Sequence, residues 1–353
     1  MIPDTKTVHD AATEAAGIYC NLVKKYDAEM TTLDCGGGLG VDYDGTRSGG
    51  DMSVSYGLEQ YASSIVQAVR IKCDSNGVPH PVLCTESGRA MVSHHSMIIL
   101  EALSATPDPQ DDINTTHEEL LSVVKGLMRT IQKDPIIPSE GTAVNVDVEG
   151  IQKHGIELYK VAKKLSKKAT SDAHIIYNYH MNLSVFSLVP DFWGIKQLFP
   201  MMPVRRLNEE PTHKGTLVDI TCDSDGKIEK FIDGGLTLPL HPLDDDGGYY
   251  VVVLLSGAYQ EALAGKHNLF SGPSLVHVKS TGTDGGFTID CGDLGPTTEE
   301  VIMTMRYNVQ LDIKEAILNK ARTPEEEELV GELVDQVLKT MPYLNEYKPP
   351  RTT

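Results

Sequence analysis

A cluster of glycines follows a short apolar segment near the start of the chain. Residues 36–40 read Gly-Gly-Gly-Leu-Gly, directly after residues 31–35, whose pattern predicts a strand. A strand that runs into glycines leaves backbone N–H groups free to bind a phosphate, and glycine tolerates the positive φ and close approach that this requires. The pattern favours a bound phosphorylated cofactor, although a glycine cluster alone is equally typical of a tight connection.

Two charged residues follow a second predicted strand. Glu86 and Arg89 come after the apolar run at residues 82–84. Loops after parallel strands are where α/β proteins collect their functional groups. The two residues are consistent with a surface ion pair. They are also consistent with a shared cofactor, in which Arg89 neutralises a phosphate and Glu86 keeps a ring nitrogen protonated.

Several motifs of the chain occur together, in the same order and spacing, in one enzyme family. They are LDCGGGLGVDYDG at residues 33–45, CTESGRA at 84–90, DFWGIKQLFP at 191–200, CDSDG at 222–226, SGAYQ at 256–260 and HNLF at 267–270. From about residue 2 to about residue 310 the chain resembles the biosynthetic arginine decarboxylases, especially those of plants. These are pyridoxal-phosphate (PLP) enzymes of the Orn/Lys/Arg decarboxylase class-II family, with the alanine racemase-like fold type III.

The resemblance implies a cofactor site. Glu86 would bind the pyridine nitrogen, so that the protonated ring accepts electrons after CO2 leaves. The glycines and Arg89 would hold the phosphate, with a hydroxyl from Tyr259, which would otherwise be a half-buried strand tyrosine. The residues predicted to bind PLP are Gly36, Gly37, Gly38, Glu86, Gly88, Arg89 and Tyr259.

A second group is predicted to act on the substrate. Cys222 would deliver a proton to the α-carbon as general acid, although a cysteine at a strand end is usually a small buried hydrophobic residue. Asp223 would bind the guanidinium of L-arginine, which matches a carboxylate bidentately. In the family, the barrel of one subunit and the Cys-Asp loop of another share an active site, so the resemblance implies a homodimer or higher homo-oligomer.

Composition excludes several classes of partner. A formal net charge of −19, from 50 acidic against 31 basic residues, argues against nucleic acid as a partner. No apolar run reaches the roughly 18 residues that a membrane span needs, and the first thirty residues lack a signal-peptide core. The six cysteines are scattered without a CxxC pair, which suits free thiols in a reducing compartment. Cytoplasm and plastid both stay open.

The first part of the chain alternates predicted strands and amphipathic helices, as a parallel sheet or barrel requires. Short β segments separated by glycine- and aspartate-rich turns follow from about residue 202 and predict a β-sandwich or small barrel. Helices are predicted over residues 8–25, 56–73, 89–103, 118–133, 150–168 and 323–341. Strands are predicted over residues 216–221, 227–232, 249–255, 274–278 and 287–290.

Together with the resemblance, these patterns predict an α/β plus β fold. Residues 1–105 would be the C-terminal part of a PLP-binding (β/α)8 barrel, and residues 106–185 a helical insertion of the arginine enzymes. Residues 186–322 would form a C-terminal β-sandwich or barrel domain, and residues 323–353 a helix and tail. The acidic triplet at residues 244–246 is most simply an exposed loop, and a divalent cation there is the less favoured interpretation.

No lysine of this sequence lies in the family's Schiff-base context, since the resemblance begins downstream of the segment that carries that lysine. The sequence therefore predicts either a portion of a longer arginine decarboxylase or a truncated, non-catalytic homologue that pairs with and modulates a full-length subunit. Ornithine or diaminopimelate as substrate is disfavoured by the motifs, and a Rossmann-type nucleotide site by the spacing after the glycines. Mg2+ is implied only by the resemblance.

Overall fold

The protein is described from a computed structural model. The structure describes residues 1–108, 175–244, 248–282 and 285–344. The chain divides into two compact units, one formed by residues 1–106 with 177–353 and the other by residues 107–176. The helices predicted at 118–133 and 150–168 and residues 245–246 of the acidic triplet lie outside the described residues.

The described elements alternate in type at the start of the chain and are mostly β in its second half. The α-helices are α1 Thr5–Tyr26, α2 Leu58–Asn76, α3 Gly88–Val92, α4 Val185–Leu188, α5 Pro190–Ile195, α6 Gln260–Leu263, α7 Thr298–Thr304, α8 Glu315–Leu318 and α9 Pro324–Leu338. The strands are β1 Thr32–Asp34, β2 Val82–Cys84, β3 Ile98–Pro107, β4 Ile176–Met181, β5 Met201–Pro203, β6 His213–Val218, β7 Lys227–Ile228, β8 Leu238–Leu240, β9 Tyr249–Val253, β10 Val276–Ser280 and β11 Phe287–Cys291. Short 3-10 turns at Ser93–His95 and His267–Leu269 and a π-helical turn at Val309–Lys314 complete the set.

Helices α1 and α2 confirm the first two helix predictions and pack together beside the parallel pair of β1 and β2. The Asp4 carboxylate caps α1 by accepting a hydrogen bond from Thr7 N at 2.8 Å, and Gly77 ends α2 with a left-handed φ of 62°. The two helices bury one apolar stripe each. The two stripes and nearby residues form one buried cluster. The members of this cluster are Val8, Ala12, Ala16, Tyr19, Cys20, Val54, Tyr56, Tyr61, Ile65, Ala68, Val69, Cys73 and Val78.

The third predicted helix, over residues 89–103, is wrong beyond its first turn. Helix α3 ends at Val92, and the apolar residues from Ile98 onward form the long strand β3, which pairs antiparallel with β9. Leu100 and Ala102 are buried, whereas the alternate residues Ile99 and Leu103 are exposed. This two-residue period matches a strand, and cross-strand pairing with β9 decides the conformation of a run whose apolar residues also suited a helix.

Strand β3 belongs to a seven-stranded sheet in the order β5-β9-β3-β4-β6-β7, with β8 paired to β6. The strands predicted in the second half of the chain are confirmed in position, although β7 is only two residues long. The main core lies on this sheet and contains Leu100, Tyr179, Met181, Leu217, Ile228, Leu240, Val251 and Val253. Strands β10 and β11 form a separate antiparallel hairpin, and α9 confirms the predicted final helix.

Candidate functional site

Strands β1 and β2 bring two loops of the site to one edge. They are parallel neighbours, with Asp34 opposite Cys84, so both loops begin at the same level of the sheet. Cys35 N continues the ladder by donating to Cys84 O at 2.9 Å. The glycine loop, residues 36–40, and the Glu86 loop, residues 85–88, therefore start side by side, where parallel strands typically present their functional groups.

The glycine loop has a backbone that side chains would disturb. Gly36 and Gly38 have left-handed φ values of 68° and 104°. Gly36 O accepts a hydrogen bond from Glu86 N at 2.8 Å, and a Cβ on Gly37 would lie 2.9 Å from Glu86 O. The two loops are thus in backbone contact, and the glycines leave a cradle that fits a phosphate group.

A cavity of about 300 Å³ borders both loops. Its lining is mainly apolar and includes neither Glu86 nor Arg89. The lining residues are Leu39, Gly40, Tyr56, Gly57, Leu58, Ser87, Ala90 and Met91.

Arg89 is held in place by a buried tyrosine. Its Nη1 donates to Tyr43 Oη at 3.0 Å, and Tyr43 Oη lies 3.2 Å from Ser93 Oγ. Ser93 Oγ donates in turn to Arg89 O at 2.7 Å. Tyr43 and Ser93 are both buried, so the network fixes the guanidinium from within the protein.

Tyr259 reaches the same place from the far end of β9. It lies outside the strands, at the start of α6, with a left-handed φ of 67°. The Arg89 guanidinium carbon lies 4.8 Å from the centre of the Tyr259 ring, within cation–π range. A Cβ on Gly88 would lie 4.0 Å from Tyr259 Oη, so this hydroxyl also faces the Glu86 loop.

Glu86 itself is exposed, and within the described part of the chain its carboxylate has neither a hydrogen-bond partner nor an ion-pair partner. Contacts between the loops and between Arg89 and Tyr259 thus place Arg89, Tyr259, the Glu86 loop and the glycine loop near one another. In the glycine loop, Gly36 N donates to Asp34 Oδ1 at 2.8 Å and Gly40 N to Tyr56 Oη at 3.1 Å. A carboxylate, a guanidinium, a phenol and the backbone N–H groups of Gly37 and Gly38 are the groups that suit a ligand with both a phosphate and a basic ring nitrogen.

Cys222 and Asp223 lie on a different loop. Cys222 is exposed, and its Sγ is 3.6 Å from both Oδ1 and Nδ2 of Asn268. One Asp223 oxygen, Oδ1, accepts from Asp225 N at 2.9 Å, and the other, Oδ2, is 3.6 Å from His267 Nε2. The hydrogen bonds of these two residues go to their own loop and to the turn at residues 267–269, and none links them to Arg89 or Tyr259 among the described residues.

Sequence reasoning missed Tyr43, Asn268 and His267 as parts of these sites. Tyr43 lies within the glycine motif, and His267 and Asn268 within the HNLF motif, so all three were visible as motif members. Their roles depend on contacts with residues more than forty positions away, which no local pattern reveals.

Comparison with known proteins agrees with this geometry. Residues 2–93 match the family model described as "Pyridoxal-dependent decarboxylase, pyridoxal binding domain". This range includes the glycine loop, Glu86 and Arg89. The whole chain is 66% identical to arginine decarboxylase 2 of Oryza sativa subsp. japonica over 362 residues. Over the part that it spans, the chain is similar to the plant arginine decarboxylases. It also matches the arginine decarboxylase of Avena sativa, at 63% identity over 99% of its length.

The chain spans 58% of the rice relative and 57% of the oat relative. Among solved structures, the biosynthetic arginine decarboxylase SpeA of Campylobacter jejuni matches 98% of the chain at a TM-score of 0.69 and 25% identity, with 62% of SpeA covered. A diaminopimelate decarboxylase from m. jannaschi matches 86% of the chain and 48% of its own length at a TM-score of 0.52 and 13% identity. The fold is therefore that of the barrel-class PLP-dependent decarboxylases.

Within residues 1–108, 175–244, 248–282 and 285–344, no group of three or more His, Cys, Asp or Glu side chains is arranged to hold a metal ion. Among the helices in the same ranges, none has the length and apolar character to cross a bilayer.

Proposed function

We propose that this chain supplies part of a PLP-dependent arginine decarboxylase, which converts L-arginine to agmatine and CO2 on a route to putrescine and spermidine. One observation carries the proposal: Glu86, Arg89, Tyr259 and the glycine loop converge in a chain that is 66% identical to a rice arginine decarboxylase.

The cofactor fits the cradle described above. Gly37 and Gly38 would offer backbone N–H groups to the phosphate, with Arg89 as the counter-charge and Tyr259 as a further hydroxyl donor. Gly36, whose N–H donates to Asp34 Oδ1 at 2.8 Å, would form the turn of the loop through its positive φ. Glu86 would hold the proton on the pyridine nitrogen. Gly88 leaves space between the Glu86 loop and the Tyr259 hydroxyl. When bound, PLP withdraws electron density from the bond between the substrate α-carbon and its carboxylate.

The Cys222 loop, residues 219–226, would act on the substrate. As the bond to the carboxylate breaks, its electron pair stays with the substrate, and a proton must then reach the α-carbon. The exposed Cys222 thiol is a suitable donor, and the half-exposed Asp223 carboxylate is a suitable partner for the guanidinium. Since the loop's contacts lie apart from the PLP residues, we propose that two subunits share each active site in a homodimer or higher homo-oligomer.

The finer architecture is part of this proposal. Residues 1–105 would complete a (β/α)8 barrel together with sequence found in the longer relatives, and residues 186–322 would be the β domain. The insertion expected over residues 106–185 would end before β4, Ile176–Met181, because that strand lies between β3 and β6 in the seven-stranded sheet. Strand β3, from the first range, pairs with β9 of the β-rich range.

A second candidate is a non-catalytic homologue that pairs with a full-length subunit and modulates it. These 353 residues contain no lysine in the family's Schiff-base context, and the experiment below asks whether the native protein has one.

One experiment separates the two candidates. The native protein is isolated from its source, its intact mass and N-terminal peptides are determined, and it is treated with borohydride and PLP. Release of CO2 is then compared for arginine, ornithine, lysine and diaminopimelate. A trapped pyridoxyl-lysine together with arginine-dependent CO2 release supports the decarboxylase. A protein that traps no PLP and releases no CO2, but alters the rate of a co-purifying full-length subunit, supports the second candidate.

A further inference from the structure

A buried carboxylate lies beneath the Cys222 loop. Asp219 is only 5% exposed, which is unusual for an aspartate without a cationic partner in hydrogen-bond contact. Burial raises the pKa of its carboxyl group, and hydrogen bonds from Val185 and Thr221 act in the opposite direction. A buried carboxylate is tolerated only where its oxygen atoms accept hydrogen bonds.

The hydrogen bonds to the Asp219 carboxylate join the residue before Cys222 to the start of α4. Asp219 Oδ1 accepts from Thr221 N at 3.0 Å and from Thr221 Oγ1 at 2.8 Å. Its Oδ2 accepts from Val185 N at 2.9 Å, which ties the loop to the start of α4. The residue next to Cys222 is thus fixed by both its backbone and its side chain.

The loop closes over the same carboxylate from the other side. Asp219 N donates to Gly226 O at 2.8 Å, and a Cβ on Gly226 would clash with the Asp219 carboxylate. Gly226 N donates to Asp223 O at 3.0 Å, so the backbone of Asp223 is held through the glycine. Only glycine leaves room for the carboxylate at this position.

We propose that Asp219 is a positioning residue that fixes Cys222 and Asp223 for their action on the substrate. It touches neither the proposed cofactor site nor the substrate groups directly. It acts through Thr221 on one side of Cys222 and through Gly226 beyond Asp223. The significance of the positioning rests on the proposed function, whereas the positioning itself is testable without any decarboxylation.

The test measures the alkylation rate of Cys222 in the full chain, by peptide mass spectrometry, relative to that of the exposed Cys84. In Asp219→Asn one acceptor oxygen becomes an NH2 group that faces a donor. We expect the Cys222 to Cys84 rate ratio to rise at least about threefold, because loss of these bonds opens the loop locally. Asp191→Asn is the matched control, since Asp191 is also 5% exposed but has no contact with the Cys222 loop among those described.

The proposal would be overturned if the Cys222 to Cys84 rate ratio of Asp219→Asn rises by less than this or falls. It would also be overturned if the ratio rises equally in Asp191→Asn. If Asp219→Asn does not fold, Thr221→Val decides, because it removes the hydroxyl that donates to Asp219 Oδ1 at 2.8 Å and accepts from Asp223 N at 3.4 Å, and so breaks the link from Asp219 through Thr221 to Asp223. There we expect a rise of about twofold, and an unchanged ratio would be the overturning result. These rate ratios do not depend on decarboxylation. A protein without decarboxylase activity would therefore give the same ratios, and failure of the proposed function can be distinguished from failure of the positioning proposal.

Discussion

The residues proposed to bind PLP and the Cys222 loop are held by different means. The glycine loop is fixed by backbone contacts, with Gly36 O bonded to Glu86 N and no room for a Cβ on Gly37. The Cys222 loop is fixed by the buried carboxylate of Asp219, which accepts hydrogen bonds from Val185 N, Thr221 N and Thr221 Oγ1. A phosphate needs several N–H groups in one fixed array, whereas a proton donor and a guanidinium partner need two side chains at set positions. Backbone geometry provides the array of N–H groups, and the buried Asp219 side chain holds the positions of Cys222 and Asp223.

The largest expected effect tests whether the two regions belong to one active site from different subunits. In the native enzyme, Cys222→Ala and Arg89→Ala should each lower turnover of arginine about a hundredfold, through loss of a general acid and of a phosphate counter-charge. Mixed and reassociated, the two variants should recover about a quarter of wild-type activity, because half of randomly paired dimers then contain one intact site. The measurement is CO2 release before and after mixing.

Mixtures of two separately prepared Cys222→Ala samples are the control for the reassociation step, and they should recover nothing. If the Cys222→Ala and Arg89→Ala mixture also stays inactive, both regions act within a single subunit.

The next effect concerns the backbone of the glycine loop. Gly37→Ala places a Cβ 2.9 Å from Glu86 O, which is backbone and does not yield without separating the two loops. We expect the affinity for PLP to fall at least about tenfold, a cost of roughly 1.4 kcal/mol. Fluorescence titration measures it, and Gly194→Ala, whose Cβ would have no neighbour within 4 Å, is the control. Equal affinities for PLP in the two variants would show that the loop contact is dispensable.

The same contrast explains what the sequence could predict. The positions of the glycine loop, Glu86 and Arg89 after β1 and β2 could be predicted because local motifs follow the two apolar segments, whereas their roles toward PLP stay predictions. The network from Arg89 through Tyr43 to Ser93 was not, because it joins residues 46 and 50 positions apart. The helix predicted over residues 89–103 was wrong because pairing of β3 with β9 overrides a local apolar pattern that also suits a helix.

A smaller effect is expected from Tyr43, whose side chain supports Arg89 next to the glycine loop. Tyr43→Phe removes the hydroxyl between Arg89 Nη1 and Ser93 Oγ, and it leaves the ring that contacts Phe199 edge-on. We expect PLP affinity to fall about threefold to tenfold and the free energy of unfolding to fall by about 1 kcal/mol. Tyr26→Phe is the matched control, because Tyr26 is 75% exposed at the end of α1. If both substitutions have the same effect on PLP affinity, Tyr43 does not position Arg89.

The smallest effect compares Cys222 with a cysteine of the core between α1 and α2, which pack beside β1 and β2. Cys73 is fully buried between α1 and α2, with its Sγ 3.9 Å from that of Cys20, whereas Cys222 is exposed. Burial raises the pKa of the Cys73 thiol to about 11. A group whose pKa is higher in the folded state binds its proton more tightly there, so its stabilisation is present below the unfolded pKa and is lost as pH rises towards 11. We expect the free energy of unfolding, from urea titrations, to fall more steeply above pH 9 in the wild type than in Cys73→Ala, with Cys222→Ala retaining the wild-type slope. Equal slopes in all three proteins would mean that the thiol between the helices titrates as it does in the unfolded chain.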